Sequence, residues 1–297
     1  MSVKSVTLTL NGQTYNIPQT QGSTYSVQVS APSKSSYNQP DHIYPMSIRI
    51  EDQAGNITEI TKSHATYGDL CKLRVLEKVA PVITVTSPSS GATLTQNTPT
   101  ISFEITDNDA GVDPSKVICK LDNSSITPTR TSITGGYQYT FTCSALSDGS
   151  HSLTIEAADY DGNVATKKTV SFKVDTAPPT LNLTAPVDKL ITNQTSCTVS
   201  GTTNDAVSSP CTVKITLNGT DQGAISLNAS GAFSKALTLR EGSNTIVVTS
   251  TDAVGKSSSV TRTVTLDTHA PAVSSVTITP NPVDAGGLIT ITLTVTD

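Results

Sequence analysis

The sequence predicts an all-β protein built as a string of small β-sandwiches, and three observations carry that prediction. Apolar and polar residues alternate along run after run, the period of a half-buried strand. Thr, Ser and Val crowd the 297 residues, while charged residues make up 14%, aromatic residues 4%, and Trp is absent. That balance suits pleated surfaces rather than helices. Finally, one signature recurs: an alternating run, Asp-x-x-Gly, a second run, and a junction ending in Ala-Pro. Its copies are Asp52–Asn56 leading to Ala80-Pro81, Asp159–Asn163 leading to Ala177-Pro178, and Asp252–Lys256 leading to Ala270-Pro271. Ala80, Ala177 and Ala270 are separated by 97 and 93 residues. A period of about 95 is too long for a solenoid turn and suits one whole sandwich. A domain of that size buries enough apolar surface to fold without cross-links.

Taken in order, residues 1–78 open with a hairpin, Val6–Leu10 and Thr14–Ile17 around the turn signal Asn11-Gly12. The polar, Pro-bearing stretch from Ala31 to Pro45 reads as an irregular loop. Met46, Ile48 and Ile50 then alternate up to Asp52, and Leu73 and Val75 resume the pattern. In residues 79–175 the strands fall at Val82–Thr86, Thr100–Thr106, Val117–Asp122, Tyr137–Thr142 and Leu153–Ala158, closed by Val170, Phe172 and Val174. Residues 176–268 repeat the order with Thr180–Thr184, Cys197–Gly201, Thr212–Leu217, Ala224–Leu227, Phe233–Leu237 and Thr245–Ser250, closed by Val264 and Leu266. Residues 269–297 hold two strands of a fourth copy: Ile291, Leu293, Val295 and Asp297 align with Ile101, Phe103, Ile105 and Asp107. Two strands alone do not bury an apolar face. This piece is a fragment that stops mid-repeat, packs on the preceding domain, or pairs with strands of another chain.

Charge excludes one class of partner. Basic and acidic residues number seven and six in 1–78, six and ten in 79–175, six and six in 176–268, and none and two in 269–297. No segment carries the basic stripe that a phosphate backbone requires. No apolar run approaches bilayer-spanning length, so no membrane insertion is expected. The first ten residues alternate like a strand and lack the apolar stretch of a secretion signal, which points to synthesis in a cytoplasm. The five cysteines, Cys71, Cys119, Cys143, Cys197 and Cys211, are odd in number and lack metal-ligand spacing. They read as buried reduced thiols, with Cys119–Cys143 the pair best placed for a bridge.

At the Asp-Thr-x-Ala-Pro junctions, the loop Thr106-Asp-Asn-Asp-Ala-Gly-Val-Asp-Pro114 and the Asp-x-x-Gly-Asn hairpins, the chain resembles bacterial immunoglobulin-like repeats. The resemblance covers about 79–297 well and 1–78 more loosely. It implies tandem immunoglobulin-like β-sandwiches, a fold that hosts many roles. Such modules occur in surface adhesins, as spacers in secreted enzymes and in phage tail and other virion proteins. The first domain is closest in character to the phage-encoded versions.

Two surfaces are candidate sites. Asp107, Asp109 and Asp113 lie in one loop of the second domain and Asp159 and Asp161 in another, and in the resembled fold both loops sit where the chain enters. Converging carboxylates make a candidate Ca2+ site; the alternative is that each Asp caps its own turn. In the third domain only Asp205 and Asp252 fall in comparable loops, so no second site is expected. Beyond that ion no cofactor is required. The other surface is aromatic: Tyr37, His42, Tyr44 and Tyr67 gather with short polar residues in the first domain. Such a mixture suits sugar or protein recognition, whereas the alternative makes some of them core. No Gly-x-Ser-x-Gly, His-Glu-x-x-His or P-loop is present, and the four His are scattered, so no enzyme is expected.

The resulting reading is a non-catalytic structural or adhesive protein of a phage or phage-like virion, made in the host cytoplasm. Its partners are other tail proteins or a second copy through the partial repeat, and bacterial surface carbohydrate. The alternatives are a fragment of a secreted cell-surface adhesin and the accessory region of a polysaccharide-degrading enzyme.

Overall fold

The structure, a computed structural model, describes residues 2–297. The chain forms two compact units, Met1–Val174 and Asp175–Asp297. Among the described residues the helical segments are three short 3-10 turns, Pro40–His42, Gly68–Cys71 and Pro114–Lys116, and no helix is long and apolar enough to cross a membrane.

The first unit begins with a single sheet. Its strands run in the order Gln13–Asn16, Val3–Leu10, Tyr44–Asp52, Ile57–Ile60, with Lys72–Leu73 added against Tyr44-Pro45. Asn11 (φ 48°) and Gly12 (φ 75°) both adopt left-handed conformations. That turn matches the twist of the strands it joins. Leu8, Leu10 and Tyr44 form a small core here. Leu73 and Val75 pack on it, but the strand that follows the Asp52 turn is Ile57–Ile60, not theirs.

A two-layer sandwich fills the rest of this unit. One sheet runs Thr129–Ile133, Gly136–Thr142, Thr100–Thr106, Val82–Ser87. The other runs Ser124–Ile126, Ile118–Leu121, Gly149–Glu156, Lys168–Val174, and ends on Thr93–Leu94 in parallel. Alternation puts Ile101, Phe103 and Ile105 from the first sheet against Leu153, Ile155, Val170, Phe172 and Val174 from the second. This is the immunoglobulin arrangement of two antiparallel sheets packed face to face.

The second unit repeats the plan. Thr180–Ala185, Ser196–Asn204 and Ala232–Thr238 form one sheet. Leu190–Thr192, Ser257–Leu266, Gly242–Thr251, Thr212–Leu217 and Thr220–Asp221 form the other. Val199, Ile215, Ile246, Val248 and Val264 are fully buried between them. The strand expected at Ala224–Leu227 does not form; Ile225 and Leu227 reach the core from unpaired backbone. A hairpin of Ala272–Thr279 and Thr290–Thr296 follows, with every residue exposed, including Val276, Ile278, Ile291 and Leu293.

All five cysteines are free and buried, Cys119 and Cys143 included. Burial pushes the Cys119 thiol up to about 12 and raises those of Cys71, Cys143 and Cys197. Such thiols are inert where they sit.

Candidate functional site

The recurring Asp-x-x-Gly element explains itself locally. Asp52, Asp159 and Asp252 each end a strand where the chain must reverse, and Gly55, Gly162 and Gly255 take φ of 90°, 93° and 90°. One carboxylate oxygen holds the turn. Asp52 Oδ1 accepts from the amides of Ala54 and Asn56, Asp159 Oδ1 from that of Asn163, and Asp252 Oδ1 from those of Val254 and Lys256, all at 2.7–2.9 Å. The second oxygen differs between copies. In the first two, the side-chain amide of Asn56 or Asn163 donates to Oδ2 at 2.8 and 2.7 Å. In the third, that position is Lys256, and Asp252 Oδ2 is buried without a partner.

Two carboxylate clusters form on this element. In the first unit one oxygen each from Glu77, Asp107 and Asp159 lie within 4.8 Å of one another. Burial raises the Glu77 carboxyl above its usual range; Asp159 and Asp107 push the same way, against the amide of Val79. Asp107 Oδ1 is tied by the amides of Asp109 and Gly111. In the second unit the trio is Asp175, Asp205 and Asp252, again within 4.8 Å and all buried.

Of the five acidic residues expected to converge, Asp107 and Asp159 do so. Asp109 instead accepts from the amide of Ser35 at 3.0 Å, Asp113 from the amide and hydroxyl of Ser115 at 2.9 and 2.7 Å, and Asp161 from the amide of Glu77 at 3.0 Å. Local capping therefore claims Asp113, while Asp109 and Asp161 fasten backbone from the preceding segment. Sequence reasoning missed Glu77 and Asp175. The available signal was an acid two or three residues ahead of each Ala-Pro junction. A third acidic group, Glu241, Asp267 and His269, is largely exposed; Glu241 accepts from the amide and hydroxyl of Thr268.

The aromatic candidates separate. Tyr37 stacks between His42 (centroids 4.6 Å) and Tyr160 (4.0 Å), both nearly parallel to it. Burial and the neighbouring Tyr160 raise its phenol well above the ordinary value. Tyr44 lies in the small core, 4% exposed. Tyr67 stacks on His64 at 5.2 Å, away from the others. A pocket of about 490 Å³ is lined by Tyr37, Tyr137 and Tyr160 with Asn38, Asp107 and Asn108. Tyr137 and Tyr160 come from the sandwich and were not singled out by the sequence.

Residues 81–155 match the family described as "Bacterial Ig domain", and residues 179–268 match "Glucodextranase, domain B". The stretch 81–155 is thus similar to a bacterial immunoglobulin-like domain. Comparison with curated proteins gave no match. Among solved structures, Sidekick-1 immunoglobulin domains 1–5 are 12% identical over 93% of this chain and 56% of that one, with a TM-score of 0.41. The fibronectin(III)-like modules of Clostridium thermocellum CbhA are 20% identical over 63% of this chain and 94% of theirs, TM-score 0.33. A 1.5-MDa bacterial ice-binding adhesin is 20% identical over 90% of this chain and 87% of that one, TM-score 0.32.

Within the repeat spanning 81–155, His151 is held by two acceptors: Nδ1 lies 2.7 Å from Asp122 Oδ2 and Nε2 2.8 Å from the Ser147 carbonyl. Two acceptors are both satisfied only by an imidazolium. Burial lowers the His151 pKa, but Asp122 and the Ser147 carbonyl outweigh it, and the net shift is upward from 6.5. A histidine raised on folding contributes stability below its unfolded value, and that contribution fades as pH rises through the folded value. Thermal unfolding of the first unit should therefore move to lower temperature between pH 6 and pH 8, about the range over which histidine titrates, and His151→Gln should flatten that slope.

Proposed function

We propose that the chain is a non-catalytic structural and adhesive protein of a phage or phage-like virion. In this reading its repeats, at 1–78, 79–175, 176–268 and a partial fourth from 269, present a binding surface to bacterial carbohydrate. The observation that carries the binding role is the pocket walled by Tyr37, Tyr137 and Tyr160 with Asn38, Asn108 and Asp107. Aromatic rings offer sugar an apolar platform, and amides and carboxylates beside them supply directed hydrogen bonds. The histidines support a non-catalytic role. His42 and His151 meet backbone carbonyls, His64 accepts backbone amides, and His269 sits in an exposed pair with Glu241. Five unbridged thiols suit assembly in a reducing cytoplasm.

The exposed hairpin 272–296 supplies a second contact, because an open two-stranded edge accepts strands from a neighbouring chain. Many copies on one particle would convert weak single contacts into avidity.

The test has two arms. Antibody against the chain should decorate purified particles. Surface polysaccharide from the host should bind the isolated chain, and Tyr160→Ala, a residue 40% exposed and outside the core, should weaken binding about tenfold, the scale of losing one stacking contact worth about 1.4 kcal/mol. Absence from particles, with the chain instead on a bacterial surface, would decide for a secreted adhesin. The match of 179–268 to a glucodextranase domain favours a second reading, an accessory region of a polysaccharide-degrading enzyme; a catalytic domain in the same reading frame would establish it.

A further inference from the structure

The second unit opens on a carboxylate trio that the sequence did not lead one to expect. Asp175 is 1% exposed, Asp205 7% and Asp252 6%. Each already uses one oxygen within the protein. Asp205 Oδ1 accepts from the amides of Val207 and Ser208 at 2.8 Å, Asp252 Oδ1 from Val254 and Lys256, and Asp175 Oδ2 from the Ser208 hydroxyl. The remaining oxygens of Asp175 (Oδ1) and Asp252 (Oδ2) are buried with no partner at all. The ion pairs seen along the chain, Lys4–Glu51 to His269–Asp267, include none of the three.

Leaving a buried carboxylate oxygen unsatisfied costs several times what an ordinary hydrogen bond contributes. Two such oxygens beside a third buried carboxylate call for a positive charge. The equivalent turn elsewhere in this chain removes the problem with an asparagine amide; here Lys256 stands in its place, and it meets the turn through its backbone, its amide donating to Asp252 Oδ1 and its carbonyl accepting from the Asp252 amide. Oxygens no more than 4.8 Å apart fit around one ion at the Ca–O distance of about 2.3–2.6 Å. An all-oxygen, carboxylate-rich donor set selects a hard divalent cation, and three carboxylates at one point favour Ca2+ over Mg2+, which usually takes one or two and keeps several waters.

We propose that Asp175, Asp205 and Asp252 form a Ca2+ site, in which the ion ties the residue that begins this unit to the two loops at the same end of its sandwich. The inference is independent of the carbohydrate-binding role above. It is tested on the full chain with Ca2+ alone as the probe, by titration calorimetry and by thermal unfolding. Three variants separate the possibilities. Asp252→Asn removes the charge while keeping an oxygen for the turn. Lys256→Asn restores the amide found in the other copies and gives Asp252 Oδ2 a partner inside the protein. Glu77→Gln alters only the first unit's cluster. The wild type should take up Ca2+ with the second unit's transition moving to higher temperature, and Mg2+ should move it less. Asp252→Asn and Lys256→Asn should unfold cooperatively without Ca2+ yet lose about 10–100-fold in affinity, the usual scale for disturbing a ligand's support. Glu77→Gln should leave the second unit's response intact. Equal Ca2+ uptake by the wild type and both second-unit variants, a response abolished by Glu77→Gln, or no response in the wild type would each overturn the site.

Discussion

Phe103→Ala is expected to destabilise the first unit by about 3–5 kcal/mol, the range for emptying an aromatic position in a closed core. Phe103 has no solvent exposure and stacks on Tyr139 with centroids 5.0 Å apart and planes 7° from parallel. It sits in the middle of Thr100–Thr106, a strand paired on both edges, with Gly136–Thr142 on one side and Val82–Ser87 on the other. Neither neighbour can move inward without breaking its ladder, so the cavity stays open and the cost falls at the upper end. Tyr139, whose hydroxyl is already buried without a partner, loses its stacking ring. Calorimetry reads the result as a large fall in one transition. The second unit is built on a separate hydrophobic cluster and should keep its own transition unchanged.

Gly231→Ala should disrupt the second unit through the backbone rather than the core. Gly231 has φ of +75°, and a Cβ there would stand 1.9 Å from the Thr203 carbonyl oxygen. That carbonyl cannot retreat alone, because the Thr203 amide donates to the Gly231 carbonyl at 2.9 Å and locks the two segments together. Asn228 Oδ1 holds the same turn from beneath by accepting the amides of Ser230 and Ala232. Left-handed strain in a non-glycine residue costs about 1–3 kcal/mol, and displacing the paired strand adds to it. Gly223→Ala supplies the comparison. Its φ is +76° but its Cβ would meet nothing within 4 Å, so it isolates the conformational cost from the collision. Chemical denaturation should show a substantially larger loss for Gly231→Ala; equal losses would mean that the turn yields freely.

Much of this architecture was legible because it is local. Alternation at Ile101-Ser-Phe103-Glu-Ile105 assigns one face to the core regardless of what lies opposite, and Asn11-Gly12 specifies a turn by itself. The reading faltered where burial and pairing separate. Ile225 and Leu227 alternate like a strand and are half-buried, yet no neighbour offers their backbone a ladder; packing alone satisfies the pattern. Leu73 and Val75 cover the small core, with Leu73 pairing at Tyr44 alone, while Ile57–Ile60 takes the position after the Asp52 turn beside the Tyr44–Asp52 strand.

The candidate sites show the same division. That Asp159 and Asp252 close turns follows from the chemistry of a short carboxylate next to free amides. That Asp175 joins Asp205 and Asp252 does not, since thirty and seventy-seven residues separate them and only the folded sandwich brings the junction beside both loops. Asp109, Asp113 and Asp161 had the right composition and the wrong partners: amides of Ser35, Ser115 and Glu77 reach them first. Tyr37 was visible as an exposed-loop aromatic, but its stacking on Tyr160, 123 residues away, depends on how the first sheet and the following sandwich meet within one unit.

The Asp-x-x-Gly turn has a consequence for how such a chain diversifies. Closing the loop consumes half of a carboxylate, and the residue four positions on decides what becomes of the other half. Asparagine seals it; lysine leaves it open. A duplicated module can thus alter the character of its entrance by changing a single side chain that bears no part of the scaffold, and a row of near-identical modules need not have identical joints.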